Sequence, residues 1–203
     1  NTLRAYEDYY LNRAALWEIQ SLTRSRPAGG DKDTGAKYQA MAARLTNFSS
    51  PPAKLSAFSP DWRQVMHRMR MRIEKERTPA GQEDLAIKTG KGGLVDAEFI
   101  AQALCLQHGW HEANTLAALA RGRSEGKLPQ AEKLIPNYRM LRRVEGILRR
   151  WSYEGEILLP NDPAPFKRVS IRCGFDTPEQ FQSSLAAARQ HIRDAYLAFF
   201  QPG

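Results

Sequence analysis

The sequence predicts an all-α fold: a multi-helix bundle with long amphipathic helices and a glycine-rich turn before its central helix. Apolar residues recur every three or four positions along most of the chain, whereas the alternating pattern of a half-buried strand is scarce. The 203 residues, 42% of them hydrophobic and 26% charged, suffice for one well-packed core or two small ones. We therefore predict a single helical domain over residues 1–203, with any subdivision falling near 155–165.

A long amphipathic helix is predicted over residues 2–26, ahead of a Pro-Ala-Gly-Gly stop. We expect Trp17 to be a buried aromatic anchor of this helix, and the alternative is a side chain that stacks on a ligand. The apolar stripe consists of Leu3, Tyr6, Tyr10, Ala14, Trp17 and Leu22.

Two further helices are predicted before the centre of the chain, one over 36–45 and one that starts near Ser59-Pro60-Asp61, where proline suits a first turn. One face of the second is apolar and the other, around Arg70, is rich in arginine. That basic face is either a solvated surface or a docking surface for a catalytic domain or an acidic partner. A loop over 78–84 and a short extended piece over 85–88 should follow.

A glycine-rich stretch over 88–99 opens the central helix. Three glycines among residues 90–93 allow a sharp turn before Asp96, which we predict to be the N-cap, and Glu98 should lie in the first helical turn. A phosphate cradle is the alternative, but its glycine spacing is absent and two carboxylates occupy the place of the anion. We expect a structural turn and a helix that runs to His108.

The second half of the chain continues the helical pattern. A short helix is predicted over 113–120, closed by Gly122 or Gly126, and the strongest periodic signal follows Pro129. Its buried stripe should contain Leu134, Tyr138, Leu141, Val144, Leu148 and Trp151.

An exposed, proline-containing connector over 155–165 is predicted next. A short helix over 166–174 should pack through Val169 and Ile171. The final helix, over 177–200, begins with a Thr-Pro-Glu-Gln capping box.

Composition bounds the partners. The formal net charge is +8, but the basic residues are interspersed with glutamates and lack a nucleic-acid-binding signature, so we do not expect a nucleic-acid partner. Cys105 and Cys173 suit reduced thiols rather than a disulfide framework. His108 and His111 are separated by a helix-ending glycine, and we expect no metal site. No apolar run could span a bilayer and no signal peptide is evident, which predicts a cytoplasmic protein without a membrane partner.

Three ordered blocks resemble one protein family, the glutamine-synthetase adenylyltransferases. The central block resembles the family's Lys-x-Gly-x-Gly-Gly-Leu-x-Asp-x-Glu-Phe-x-x-Gln motif, a second block resembles its Trp-Glu-x-Gln helix, and residues 141–145 resemble its Leu-Arg-x-Val-Glu helix. The matching positions of the first two are Lys88, Gly90, Gly92, Gly93, Asp96, Glu98, Phe99 and Gln102, together with Trp17, Glu18, Gln20, Arg24 and Arg26.

The resemblance implies a transferase that regulates nitrogen metabolism by moving AMP from ATP to glutamine synthetase, with Mg²⁺ in its catalytic domain. It also implies that this chain is a non-catalytic helical domain that follows the nucleotidyltransferase domain, more similar to the adenylylating, C-terminal half. The implied partners are that domain, glutamine synthetase and the PII signal protein. Separately, the local excess of arginine suggests docking through Arg70, Arg142 and Arg143. Two alternatives are a stand-alone basic helical module that binds nucleic acid and the similar segment of a PII uridylyltransferase.

We expect the chain alone to hold no cofactor and to transfer no nucleotide. Metal-assisted transfer needs convergent carboxylates, commonly two or more. Asp96 and Glu98 are the nearest candidates, yet residues two apart at a helix start point to different sides.

Overall fold

The computed structural model describes residues 2–152 and 158–201, apart from the side chains of residues 151 and 152. This part of the chain contains nine α-helices and no strand, only one isolated bridge between Ala86 and Leu158, so the predicted all-α class is confirmed. The helices are α1 (Leu3–Asn12), α2 (Leu16–Leu22), α3 (Lys32–Leu45), α4 (Trp62–Arg77), α5 (Leu94–His108), α6 (Thr115–Ser124), α7 (Ala131–Ser152), α8 (Pro163–Cys173) and α9 (Pro178–Phe200).

The helices form two compact units. The first comprises Asn1–Arg68 and Phe99–Leu128, and the second comprises Met69–Glu98 and Pro129–Gly203. The expectation of one domain over 1–203 stays a prediction. None of the described helices is long and apolar enough to cross a bilayer.

In the first unit, the helix predicted over 2–26 is broken into α1 and α2, and that prediction was wrong. The chain leaves the helical path at Arg13, and Ser56 N–H donates to the α1 carbonyl of Leu11 at 2.9 Å. Glu18 restarts the helix because its carboxylate accepts the N–H of Ala15 at 2.8 Å. Local capping therefore offsets the helical hydrogen bonds that the break removes.

The break changes which residues of α2 are buried. Leu16, Ile19, Gln20 and Leu22 face the core, whereas Trp17 is 56% exposed. The predicted core anchor at Trp17 was therefore wrong, because its place in the stripe depended on one uninterrupted helix. Tyr6, in α1, is also exposed.

Caps set the other helix ends in this unit. The helix predicted over 36–45 starts four residues earlier, because the Asp31 carboxylate accepts the N–H of Thr34 at 2.7 Å. The central helix ends at His108 as predicted, followed by Gly109 with φ 65°. Gly122 does not close α6: it lies inside that helix, and its Cα face packs against Leu104 and Leu128.

In the second unit, α7, α8 and α9 pack on one another. The predicted stripe of α7 is buried at Leu134, Tyr138, Leu141, Val144 and Leu148, and the side chain of Trp151 lies outside the described residues. The N-cap of α9 is confirmed, since the Thr177 hydroxyl accepts from Gln180 N–H at 3.2 Å. The buried stripe of α9 includes Phe181, Leu185, Ala188, Ile192 and Tyr196.

Two other predictions in this unit need correction. Ile171 is 55% exposed, and α8, which starts at Pro163 rather than at residue 166, packs through Val169 and Cys173 instead. Residues four apart share a helix face, whereas residues two apart, such as Val169 and Ile171, do not. The predicted connector over 155–165 falls partly on residues 153–157, which lie outside the described residues; Leu159, beyond them, is buried and donates its N–H to the Leu85 carbonyl at 2.9 Å.

Candidate functional site: the glycine-rich turn

The glycine-rich turn in the second unit uses its own polar groups. Leu94 N–H donates to the Ile87 carbonyl at 3.0 Å and Val95 N–H to the Lys88 carbonyl at 3.1 Å. Asp96 was predicted to be the N-cap of α5, and this prediction was wrong. The helix begins at Leu94, so Asp96 is its third residue. The Asp96 carboxylate reaches back and accepts the N–H of Gly92 at 3.0 Å. The N–H groups of a phosphate cradle are therefore engaged by the turn itself.

Close approach to α9 explains why glycine is needed at residue 92. Its φ is 68°, a region that residues with a Cβ rarely adopt. A Cβ there would also overlap the main-chain carbonyl of Arg189. The turn therefore lies directly on the backbone of α9.

Four ionised side chains meet behind the turn; we call them the Asp96 network, formed by Arg70, Glu74, Asp96 and Arg193. Arg70 Nε lies 2.5 Å from Asp96 Oδ1, and Arg193 Nη1 lies 3.2 Å from Asp96 Oδ2. Both arginines also contact Glu74 Oε2, at 3.2 and 3.1 Å. The side chains of Arg70 and Asp96 are 0% exposed, so each buried charge is matched by an opposite one.

Arg70 also donates to the carbonyl of Gly90 at 3.0 Å, which ties α4 to the turn within the second unit. This geometry corrects the prediction of Arg70 as a docking residue: its guanidinium is inaccessible and is used inside the protein. The i, i+3 and i, i+4 spacing that suggested an arginine face on α4 does not distinguish a solvated arginine from one that neutralises a buried carboxylate.

A second arginine of α9 holds the outside of the turn. Arg189 donates to the carbonyls of Lys91 at 3.0 and 2.9 Å, Glu83 at 2.9 Å and Asp84 at 2.5 Å. Burial lowers the pKa of Arg189 from its usual value, and the nearby Asp84 carboxylate opposes that shift. The side chain acts as a clamp that fixes residues 83–91 by their main chain.

Sequence reasoning missed both Arg189 and Arg193, which lie about a hundred residues from the motif. The available signal was their spacing of four on α9, beside an otherwise apolar buried stripe that contains Ile192 and Tyr196. The Arg193 guanidinium lies 5.3 Å from the ring centroid of Tyr196, and burial raises the pKa of that tyrosine.

Asp96 and Glu98 have different partners. Whereas Asp96 is enclosed by arginines, Glu98 is half-buried and accepts a hydrogen bond from the Tyr138 hydroxyl at 3.4 Å. The described residues contain no group of three His, Cys, Asp or Glu side chains placed to hold a metal ion. Cys105 and Cys173 are free and buried, and burial raises the pKa of each thiol to about 11.

The remaining motif positions divide between buried and exposed. In the first unit, Gln20 donates to Gln102 at 2.5 Å and Phe99 is buried. Glu18, besides capping α2, accepts from the Tyr9 hydroxyl at 2.7 Å. Arg24 and Arg26 are exposed. In the second unit, Lys88 is half-buried.

The arginines of α7 form an exposed cluster, the α7 arginine face, in the second unit. Arg142 and Arg149 lie on either side of the buried Glu145 carboxylate, at 2.5 and 3.0 Å. Arg143 is exposed and reaches the carbonyl of Arg172 at 3.5 Å. The face consists of Arg142, Arg143, Arg149 and Arg150.

Known proteins are similar in sequence to this chain over most of its length. A family model described as GlnD PII-uridylyltransferase matches residues 61–200. The bifunctional glutamine synthetase adenylyltransferase/adenylyl-removing enzyme of Streptomyces coelicolor is 34% identical over 184 residues, which is 87% of this chain and 18% of that protein. The same-named protein of Nocardia farcinica is 31% identical over 201 residues, 95% of this chain and 19% of the relative.

The chain thus spans about a fifth of the length of the curated relatives it matches. The match to the family model covers the glycine-rich turn and the helices that hold it, α4 and α9. The chain therefore belongs to the glutamine-synthetase adenylyltransferase family, and the region from residue 61 to residue 200 is the part that the GlnD PII-uridylyltransferase model describes.

Proposed function

We propose that this chain is a non-catalytic helical domain of a glutamine-synthetase adenylyltransferase. In that role it supports the nucleotidyltransferase domain of a longer protein and offers a docking surface to glutamine synthetase. The longer protein uses ATP and Mg²⁺ in the cytoplasm to transfer AMP to that enzyme, and the PII signal protein is a regulatory partner.

One observation carries the proposal: the motif carboxylate nearest to a helix N-terminus is already neutralised. Asp96 is 0% exposed and contacts Arg70 and Arg193. A carboxylate that binds Mg²⁺ beside a triphosphate must be reachable and must give its charge to the metal. Asp96 instead pairs with arginines of α4 and α9 and accepts a hydrogen bond from the turn, so it links these three segments. That is a structural role, as expected of a scaffold.

The α7 arginine face is the docking surface in this proposal. Four exposed guanidinium groups concentrated along one helix favour an acidic partner surface by speeding encounter. Arg70, being buried, is no longer part of it.

Catalysis is tested by incubating the purified chain with glutamine synthetase, Mg²⁺ and labelled ATP. We expect no label on glutamine synthetase from this chain, and label once a nucleotidyltransferase domain of the family is attached. Transfer by the chain alone that disappears with Glu98→Ala would overturn the proposal. Glu98 is the better probe than Asp96, because its side chain is half-buried whereas Asp96 is fully buried and paired with the fully buried Arg70.

Docking is tested by charge reversal on the full-length protein. Arg142→Glu combined with Arg143→Glu should slow association with glutamine synthetase, and the difference should shrink as salt rises. Lys167→Glu combined with Arg168→Glu, which reverses two exposed charges on α8, is the matched control and should have a smaller effect. Equal association rates for all three proteins at low salt would remove the α7 arginine face from the proposal, whereas steeply salt-dependent binding of DNA or RNA would favour the nucleic-acid module.

A further inference from the structure

A cleft of about 450 Å³ lies beside the glycine-rich turn, within the second unit. Its lining includes apolar side chains from four segments, Leu85, Leu159, Phe166 and Leu185. Lys91, Arg189 and Arg193 also line it, and Asp84 is the one carboxylate among its lining residues. The cleft is the size of a small metabolite site and offers both apolar and cationic surface.

The charges around the cleft do not cancel. Arg193 is balanced within the Asp96 network, in which two arginines face two carboxylates. Arg189, by contrast, makes its hydrogen bonds to main-chain carbonyls, and Lys91 is exposed at the rim. Two cations, Lys91 and Arg189, therefore face the single carboxylate of Asp84 in this part of the described chain.

Lys91 is the cation of this lining that a ligand can reach. Arg193 is balanced by Glu74 and Asp96, and its Nε, which has no hydrogen-bond partner among the described residues, is buried out of reach of solvent. The Lys91 side chain is exposed, so an anion can approach its ammonium group from solvent.

We propose that this cleft binds a small organic anion, with its phosphate or carboxylate group at Lys91 and its apolar part against Phe166 and Leu185. An inorganic anion would leave the apolar side chains in contact with water, and a neutral apolar compound would leave the lysine charge unpaired. The combination of apolar and cationic lining selects a ligand that has both parts. The proposal rests on the cleft alone and holds whether or not the chain belongs to a scaffold.

Titration calorimetry on the 203-residue chain tests the ligand class with four probes. Phenyl phosphate and 3-phenylpropionate carry an apolar ring and an anion, inorganic phosphate carries the anion alone, and benzyl alcohol carries the ring alone. We expect at least one organic anion to bind about tenfold tighter than both controls, and which of the two binds better identifies the head group. No binding of either organic anion at about 5 mM, or equal binding of a control, would overturn the proposal.

Substitutions test the location. Lys91→Gln should weaken the preferred organic anion about fivefold or more, since it removes a charge-assisted contact from an exposed side chain. Lys167→Gln, an exposed lysine next to Phe166 that does not line the cleft, is the matched control and should leave binding unchanged. Unaltered binding by Lys91→Gln, or equal losses in both variants, would place the anion elsewhere and refute the site.

Discussion

Residues 88–98 and residues 17–26 both carry the family resemblance, but they hold their side chains differently. In the first stretch Asp96 is 0% exposed and every glycine from 90 to 93 is pressed against neighbouring backbone. In the second, Gln20 faces the core while Trp17 is 56% exposed and Arg24 and Arg26 lie on the surface. Contacts inside the second unit explain the residue types of the first stretch. Contacts inside the first unit explain only some of those in the second stretch.

This contrast separates two kinds of motif residue. A glycine or a buried carboxylate can belong to a motif because the fold fails without it, whereas an exposed tryptophan contributes little to the fold. Under the proposed docking role, the exposed side chains of residues 17–26 are better candidates for external contacts than the glycine-rich turn. Measurements of unfolding free energy on single variants can therefore test this distinction.

The largest loss of unfolding free energy is expected from a substitution at Asp96. Asp96→Asn leaves Arg70 fully buried beside a neutral amide, and removing one partner of a buried ion pair costs about 3 to 5 kcal/mol of unfolding free energy. Glu98→Gln is the matched control on the same helix, and we expect it to cost less than about 1 kcal/mol because that side chain is half-buried. Urea unfolding monitored by circular dichroism measures both. Equal losses would mean that Asp96 is not the centre of the network.

A smaller but still clear effect is expected at Gly92. Gly92→Ala combines a strained φ of 68° with overlap against the Arg189 carbonyl, and should destabilise by more than about 2 kcal/mol. Gly126 has φ 64° but open space around its Cα, so Gly126→Ala should cost only about 1 kcal/mol. Because the two glycines have a similar positive φ, the difference between the urea unfolding midpoints of the two variants reports the overlap with α9. No difference would show that the turn does not depend on that contact.

Features of the fold that depend on residues close together in the sequence could be predicted from the sequence alone. The fold class, the C-terminal end of α5 and the N-cap of α9 follow from local signals, namely periodicity, Gly109 and Thr177. The structural character of the glycine-rich turn was also expected from local chemistry. These features need no knowledge of residues far along the chain.

The errors at Trp17 and Arg70 came where long-range contacts override the local pattern. The break between α1 and α2 is fixed by the Leu11 carbonyl that Ser56 captures, and this break turns Trp17 outward. The inaccessibility of Arg70 depends on Asp96 and Arg193, which lie on other helices. No window of sequence around Trp17 or Arg70 contains those partners, so periodicity alone could not place either side chain.

Within residues 17–26, a moderate effect is expected at the inward-facing position. Gln20→Ala removes the hydrogen bond to Gln102 and leaves that amide without its donor, at a cost of about 1 to 2 kcal/mol. Ser21→Ala, the adjacent exposed residue, should change stability by less than about 0.5 kcal/mol. Thermal unfolding of the two variants gives the comparison. A neutral Gln20→Ala would mean that the pair is not part of the core.

The smallest effect on stability is expected at Trp17, and it decides whether residues 17–26 face outward. Since 56% of the side chain is already exposed, Trp17→Ala should lower the unfolding free energy by less than about 1 kcal/mol. Trp62 is buried and stacks edge-on with Phe48, so Trp62→Ala should cost about 3 to 5 kcal/mol in the same unit. Urea unfolding of both variants provides the test. A loss at Trp17 as large as that at Trp62 would mean that this tryptophan is a core residue after all, and would remove the reason to assign it to an external contact. A near-neutral Trp17→Ala that weakens binding of the full-length protein to glutamine synthetase would instead assign the exposed part of residues 17–26 to docking.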